Sequence, residues 1–367
     1  MQPVTTARTR RQLPLDEVEW ELLRIFEDVL ESPNLGATAD FFVSGGDSLT
    51  AARVFSAIAE RLHVELPLTT LIEAPTVRKL ARTVRHARRL RDGNAPPIDR
   101  PLVPLSAVGS PLFFAPAAGA DAFTLHEISK ALAPRVRVIG MAYPGLDRTR
   151  PFLSRVDDLV DRFLPHVLAL QPDGPIRVAG SSFGGLVALE LARRLRAAGR
   201  TVDLVALLDT YAPGYPRRRP GLRATWAAVL RRLMPPLQVD EPFSADLLGE
   251  GMRMKRRAIA MRLRLMASRR LLLPKRGERF LWLYEACVLA KRRYRPQPYP
   301  GDAVLFRASV QPSSAIYRDD PMLGWTGLFA GKFDIIEYPG MHADHLRAPV
   351  ADTIAGELVR RCAAEER

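Results

Sequence analysis

Cysteine is nearly absent from this chain. Cys287 and Cys362 are the only two in 367 residues, too few for a disulfide framework and without a zinc-binding spacing. A reduced, cytoplasmic protein is expected. No apolar run reaches the roughly 20 residues that a membrane-spanning helix needs, and the basic residues at the N-terminus have no apolar stretch behind them. No membrane partner is expected, and residues 1–12 read as a disordered tail, with a docking segment for an upstream protein as the alternative. Lysine is scarce too, at 6 of the 54 basic residues, so arginine carries the net charge of +14. That excess is local. Residues 211–300 hold 21 Arg or Lys against 6 Asp or Glu, and no RNA-binding or helix-turn-helix signature accompanies them, so nucleic acid is not an expected partner.

The chain is long enough for two domains, and its 47% hydrophobic content supports a full core. Residues 13–90 predict a small helical domain. Val18, Leu22, Leu23, Ile25, Phe26, Val29 and Leu30 recur at helical spacing with acids in the first turn. The turn-rich Ser32-Pro33-Asn34-Leu35-Gly36 ends that helix. A second helix is expected from Ser48, a short element around Leu71-Ile72, and a last helix after Pro75. Residues 91–108 are polar and proline-bearing, as linkers are. From residue 109 short apolar runs alternate with amphipathic helices, the pattern of a mostly parallel α/β sheet. The basic stretch at about 211–300 interrupts it as a helical insertion, with apolar faces at Trp226, Val229, Leu230 and Leu233 and again at Phe280, Leu283 and Tyr284.

Two serines carry the chemistry. Ser48 follows Gly45-Gly46-Asp47 at a helix start, where free N–H groups and the positive end of the helix dipole stabilise a phosphate ester. The same residues also suit a plain N-cap. Ser182 lies in Gly180-Ser181-Ser182-Phe183-Gly184, after the strand Ile176–Ala179 and before a helix. Strand, tight turn and helix in that order are the setting of a nucleophile elbow, and Ser181 is the bland neighbour, pointing elsewhere. An elbow serine needs an acid and then a histidine at the carboxyl ends of later strands. Asp209 ends the strand Leu204–Leu208, whereas Asp203 lies at its wrong end. Only His342 and His345 follow among six histidines. His342 falls in the loop proper, and His345 is expected to begin the last helix. An oxyanion hole needs two backbone donors. One is expected from Phe183, the other from the loop Ala115-Pro116-Ala117-Ala118-Gly119.

Asp40-Phe41-Phe42-Val43-Ser44-Gly45-Gly46-Asp47-Ser48-Leu49 resembles the attachment motif of peptidyl carrier domains in nonribosomal peptide synthetases. Glu65-Leu66-Pro67-Leu68 and Glu73 to Ala81 look like that family's third and fourth helices. The resemblance implies 4'-phosphopantetheine on Ser48, installed by a separate phosphopantetheinyl transferase. Asp47 stands where many relatives have histidine, which bears on the upstream partner class rather than on the modification.

Val138 to Leu146, Gly180 to Gly185, Leu207-Leu208-Asp209-Thr210, Tyr294-Arg295-Pro296 through Ala308, and Pro339-Gly340-Met341-His342 resemble the thioesterase domains that terminate such synthetases. That family's α/β-hydrolase fold implies Ser182, Asp209 and His342 as catalytic residues and Ala117 as the second oxyanion donor. It also makes residues 211–300 a lid, read as a solvated helical surface, as a recruiting surface for an acidic carrier or upstream partner, or as a contact for an acidic substrate or a membrane.

The joint expectation is a carrier–thioesterase didomain, a monomer, loaded by adenylation and condensation enzymes acting in trans. It releases an acyl or peptidyl substrate through an acyl-serine. If flexible, a linker of about 18 residues spans roughly 20–25 Å and keeps the tethered chain at an effective concentration of order mM. The competing readings are an editing thioesterase that clears mischarged carriers and a non-catalytic carrier scaffold.

Overall fold

The computed structural model describes residues 12–92, 100–145, 151–216, 279–311 and 320–364. Residues 1–99 and 100–367 form two compact units.

The first unit is helical: α1 (Glu17–Leu30), α2 (Ser48–Ala57), α3 (Thr70–Glu73) and α4 (Val77–Arg91). Each long helix starts at a side-chain cap. Asp16 accepts the N–H of Glu19, Asp47 that of Thr50, and Thr76 that of Lys79. Leu22, Ile25, Phe26, Phe41, Val54, Ile58, Leu71, Leu80 and Val84 are all but fully buried, and the rings of Phe26 and Phe41 meet edge-on at 5.5 Å. One acid of α1 lies in the core. Glu19 is 2% exposed whereas Trp20 is 43% exposed, because Arg78 and Arg85 reach the Glu19 carboxylate, each at 3.5 Å. A buried carboxylate is tolerated where cations neutralise it.

The second unit is a seven-stranded sheet in the order β1-β3-β2-β4-β5-β6-β7, formed by Leu102–Pro104, Ser110–Ala115, Val136–Met141, Ile176–Ser181, Val202–Leu208, Ala303–Ala308 and Phe333–Tyr338 numbered along the chain. All pairs are parallel except β1 with β3. The helices are α5 (His126–Leu132), α6 (Val156–Leu170), α7 (Phe183–Ala197), α8 (Arg279–Arg293) and α9 (Val350–Ala364). Every residue of β4 is buried and α7 is buried along most of its length, which explains why these segments read as near-continuous apolar runs.

One boundary differs from the sequence reading. Leu102–Pro104 falls inside the expected linker 91–108 yet forms an edge strand, with Val103 opposite Gly140 and the Leu105 N–H donating to Val138 O at 2.9 Å. Three residues flanked and ended by proline carry no periodicity to announce a strand, and proline is tolerated at a sheet edge. Of the expected lid, residues 217–278 lie outside the described residues, including the apolar face at Trp226 to Leu233; α8 is its described end. The disordered-tail reading also falls largely outside them. Among the described residues no helix is long and apolar enough to cross a membrane, and no cluster of side chains suits a metal ion.

Candidate active site

Because the strands from β2 to β7 run parallel, the loops that follow them open on one edge of the sheet. That edge gathers Ala117 after β2, Ser182 after β4, Asp209 after β5 and His342 after β7.

Ser182 occupies the sharp turn between β4 and α7, with φ 51° and ψ −114°, and its N–H donates to Leu208 O at 2.8 Å. A positive φ at a non-glycine residue costs of order 1–3 kcal/mol and persists only where the surroundings enforce it. Here glycine makes the surroundings possible. A Cβ on Gly180 would lie 2.2 Å from the Gly184 backbone, and one on Gly184 would lie 2.1 Å from Ala115 O. One on Gly185 would lie 2.0 Å from Thr210 Oγ1.

Asp209 also has a positive φ, 42°, and its N–H is tied to Phe306 O at 2.7 Å. Its side chain has no exposure. Oδ2 accepts His342 Nδ1–H at 2.6 Å, while Oδ1 accepts the Ala308 N–H at 3.1 Å and Gln311 Nε2–H at 3.2 Å. Burial pushes this carboxyl upward, but the His342 hydrogen bond and charge, the Ala308 N–H and the His345 charge outweigh it, leaving it below the usual range. An ionised Asp209 holds the proton of His342 on Nδ1. Nε2 is then the acceptor, 3.0 Å from Ser182 Oγ. A buried acid, an imidazole and a hydroxyl thus stand in one line of hydrogen bonds, the arrangement that activates a serine.

For the two oxyanion residues the structure supplies placement. Phe183 opens α7, where first-turn N–H groups have no intrahelical partner. The Ala115 and Pro116 carbonyls press on Gly184, and Tyr143 Oη donates to Pro116 O at 2.7 Å, which sets Ala117 beside the elbow. The neighbouring Gly119 N–H faces the Cys287 thiol instead. Burial raises that thiol to about 12, so it remains protonated and is no competing nucleophile.

Ser181 points away from the triad and has a partner there: it is buried, and its Oγ lies 2.7 Å from His345 Nε2. One expectation changes, because His345 does not begin the last helix. It sits in the short turn Asp344–Leu346, 3% exposed, with Nδ1 2.5 Å from His342 O. A carbonyl only accepts, so Nδ1 carries the proton and Nε2 accepts from Ser181. His345 is thereby a strut under the backbone of His342. Nothing in the spacing of Ser181 and His345 announces this pairing, nor the bond from Gln311, which requires β6 and its loop to be placed first. Asp203, at the opposite end of β5, faces Arg177 at 3.7 Å, away from this line.

Burial, with a smaller push from the charge of His342, lowers His345 to about 4 from an ordinary 6.5. Between those values the unfolded chain takes up a proton that the folded chain refuses, so this term destabilises the fold as pH falls from about 6.5 to about 4. The loss is on the order of 3 kcal/mol at most. Denaturant unfolding at pH 7 and pH 5 checks it, with His345→Asn expected to flatten the difference; His126, also lowered by burial, contributes the same sign in both proteins and cancels.

In the first unit, Ser48 is the first residue of α2, behind the Asp47 cap. Gly45 has φ +94° with open space where a Cβ would stand, whereas Gly46 must be glycine because a Cβ would strike the Phe41 ring at 2.3 Å. The turn is exposed at Gly45 and Asp47, and free N–H groups at a helix start suit a phosphate ester.

A mostly parallel sheet with a serine at the strand–helix turn, and acid and histidine on later loops, defines a protein of the α/β-hydrolase type. More narrowly, the chain belongs to the thioesterase domain family, which residues 110–358 match. Residues 20–84 match the phosphopantetheine attachment site, so the helical unit is a carrier domain for that group. Malpibaldin synthetase of Mortierella alpina is 32% identical over 56% of this chain, and this chain spans 4% of that protein. A dimodular nonribosomal peptide synthase of Bacillus subtilis is 32% identical over 54% of the chain, which spans 8% of it. Among solved structures, a four-domain nonribosomal peptide synthetase bound to AMP and glycine covers 98% of this chain at a TM-score of 0.55 and 22% identity, with 27% of that chain covered.

Proposed function

We propose that this chain holds an acyl or peptidyl group on its carrier domain and releases it through an acyl ester on Ser182, in nonribosomal peptide biosynthesis. The observation that carries this reading is the line Asp209–His342–Ser182, with 2.6 and 3.0 Å contacts, on the same chain as an attachment domain. Bound at Ser48, phosphopantetheine would supply a thiol that carries the acyl group as a thioester.

His342 Nε2 takes the Ser182 proton as Oγ attacks the thioester carbonyl. The carbonyl oxygen, becoming negative, is met by the N–H groups of Phe183 and Ala117. As the C–S bond breaks, His342 gives its proton to the leaving sulfur, and Ser182 holds the acyl group as an ester. Water then enters beside His342, which takes its proton; the new C–O bond forms, the Oγ–C bond breaks, and the proton returns to Ser182. A hydroxyl or amine of the substrate in water's place yields a lactone or lactam. Asp209 remains ionised throughout, stabilising the imidazolium.

The partners on this reading are a phosphopantetheinyl transferase and upstream adenylation and condensation enzymes, with the protein acting as a cytoplasmic monomer. The two cysteines, both free and buried, support a reducing compartment. Incubation with a phosphopantetheinyl transferase and acyl-coenzyme A is expected to add the acyl-phosphopantetheine mass to the peptide containing Ser48. Ser48→Ala should abolish it; equal labelling of that variant would contradict the assignment.

A further inference from the structure

Helix α8 lies across the site. Its Tyr284 packs on Gly119, where an added Cβ would stand 2.8 Å from Tyr284 Cβ, and the Cys287 thiol faces the Gly119 N–H. Lys291, four residues further along the same helical face, places Nζ 5.5 Å from the centre of the Tyr211 ring. Tyr211 belongs to the triad's surroundings: its ring centre is 5.6 Å from that of His342, and its hydroxyl donates to Gln311 Oε1 at 3.1 Å, the residue that bonds Asp209. The helix end is fixed by Tyr294 Oη, which donates to the buried Glu190 at 3.2 Å. So α8 spans from the oxyanion loop to the loop after Asp209 and presents one cation near the reacting centre.

Lys291 has the Tyr211 ring face as its neighbour and, among the described residues, neither an ion pair nor a hydrogen bond. Every other basic residue ending α8 is exposed; this one is half-buried, and burial lowers its ammonium to about 8 from 10.5. A cation withdrawn from water without a counter-charge is costly unless a partner arrives. A substrate anion is such a partner.

We propose that Lys291 selects the substrate by pairing with a carboxylate borne on the acyl or peptidyl chain. The claim rests on the reading of Ser182 as the acylated residue. The two ring distances place Nζ within about 11 Å of the His342 ring centre, which at most about three extended residues span. The carboxylate therefore belongs to one of the last residues before the thioester carbonyl. The phosphate of the arm lies at the opposite, Ser48 end of its own chain of atoms and is not the favoured partner.

Binding tests this apart from turnover. In full-length Ser182→Ala protein, calorimetry compares two non-cleavable pantetheine amides, one glutaryl and one hexanoyl. The glutaryl probe is expected to bind about tenfold more tightly, and Lys291→Met should bring the ratio to one or below. Lys291→Glu should favour a 5-aminopentanoyl probe instead. A ratio that survives Lys291→Met overturns the proposal, as does equal binding of both probes before substitution. Tighter binding of phosphopantetheine than of pantetheine, lost in Lys291→Met, would overturn it in favour of the arm's phosphate. Fluorophosphonate labelling of each variant with Ser182 restored reports whether the site is folded. The release reading stands or falls separately, on acylation of Ser182 by thioester probes.

Discussion

Ser182→Ala is expected to slow thioester cleavage by about 10⁴- to 10⁶-fold while leaving the fold intact. The size follows from the role: the serine hydroxyl is the atom that bonds to the acyl carbon, and nucleophile and base act as a unit, so removing one loses nearly all that the unit supplies. The residual rate comes from the oxyanion donors and from binding, which alanine does not touch. Ser182 Oγ makes its contact to His342 at 3.0 Å in a half-buried setting, so truncation strands no fully buried polar group. The backbone still requires φ 51° at this position, a strain that alanine bears no more easily than serine. Single-turnover release from an acylated carrier measures the effect. A fall of less than about tenfold would mean that another group does the chemistry.

Asp209→Asn is expected to reduce kcat by about 10⁴-fold with little change in KM. The side chain is fully buried between three donors: His342 Nδ1, the Ala308 N–H and Gln311 Nε2. A carboxylate accepts all three. An amide has one acceptor oxygen, and its NH₂ must face either the Ala308 and Gln311 donors or His342. In the second case Nδ1 becomes the acceptor, the ring proton moves to Nε2, and Ser182 loses its base. In the first, a buried N–H faces N–H, which costs about 1–3 kcal/mol of stability. Gln311→Ala separates these: removing one competing donor eases only the first orientation, in which the Asn oxygen still accepts Nδ1–H, so a gain in stability with partial recovery of kcat marks that orientation, and no change in either marks the second.

Much of the site could be read along the chain because its parts are local. Gly180, Ser182 and Gly184 are constrained by a single turn, and the sites of would-be Cβ atoms at the two glycines show why nothing larger fits. Asp209 and His342 follow from strand order, since only one end of a parallel strand faces the cleft. What escaped was long-range. Ser181 and His345 meet across 164 positions, and Gln311 meets Asp209 across 102; no periodicity encodes either meeting. Strand β1 escaped because its hydrogen bonds come from β3, not from a pattern of its own. The burial of Glu19 rests on two arginines of α4, far along the chain, that neutralise the acid. The arginine excess of residues 211–300 could be counted but not interpreted. Its described end carries a basic side chain, Lys291, that faces the triad's neighbour Tyr211.

The central claim is that an acyl group passes from the carrier arm to Ser182 before leaving the protein. Rapid-quench peptide mapping of the wild-type chain, acylated through Ser48, follows that passage directly. The acyl mass should leave the Ser48 peptide, rise on the Ser182 peptide and then decay as product forms. Loss from the Ser48 peptide at an unchanged rate in Ser182→Ala, with no acyl mass on the Ser182 peptide of the wild type, would contradict the account.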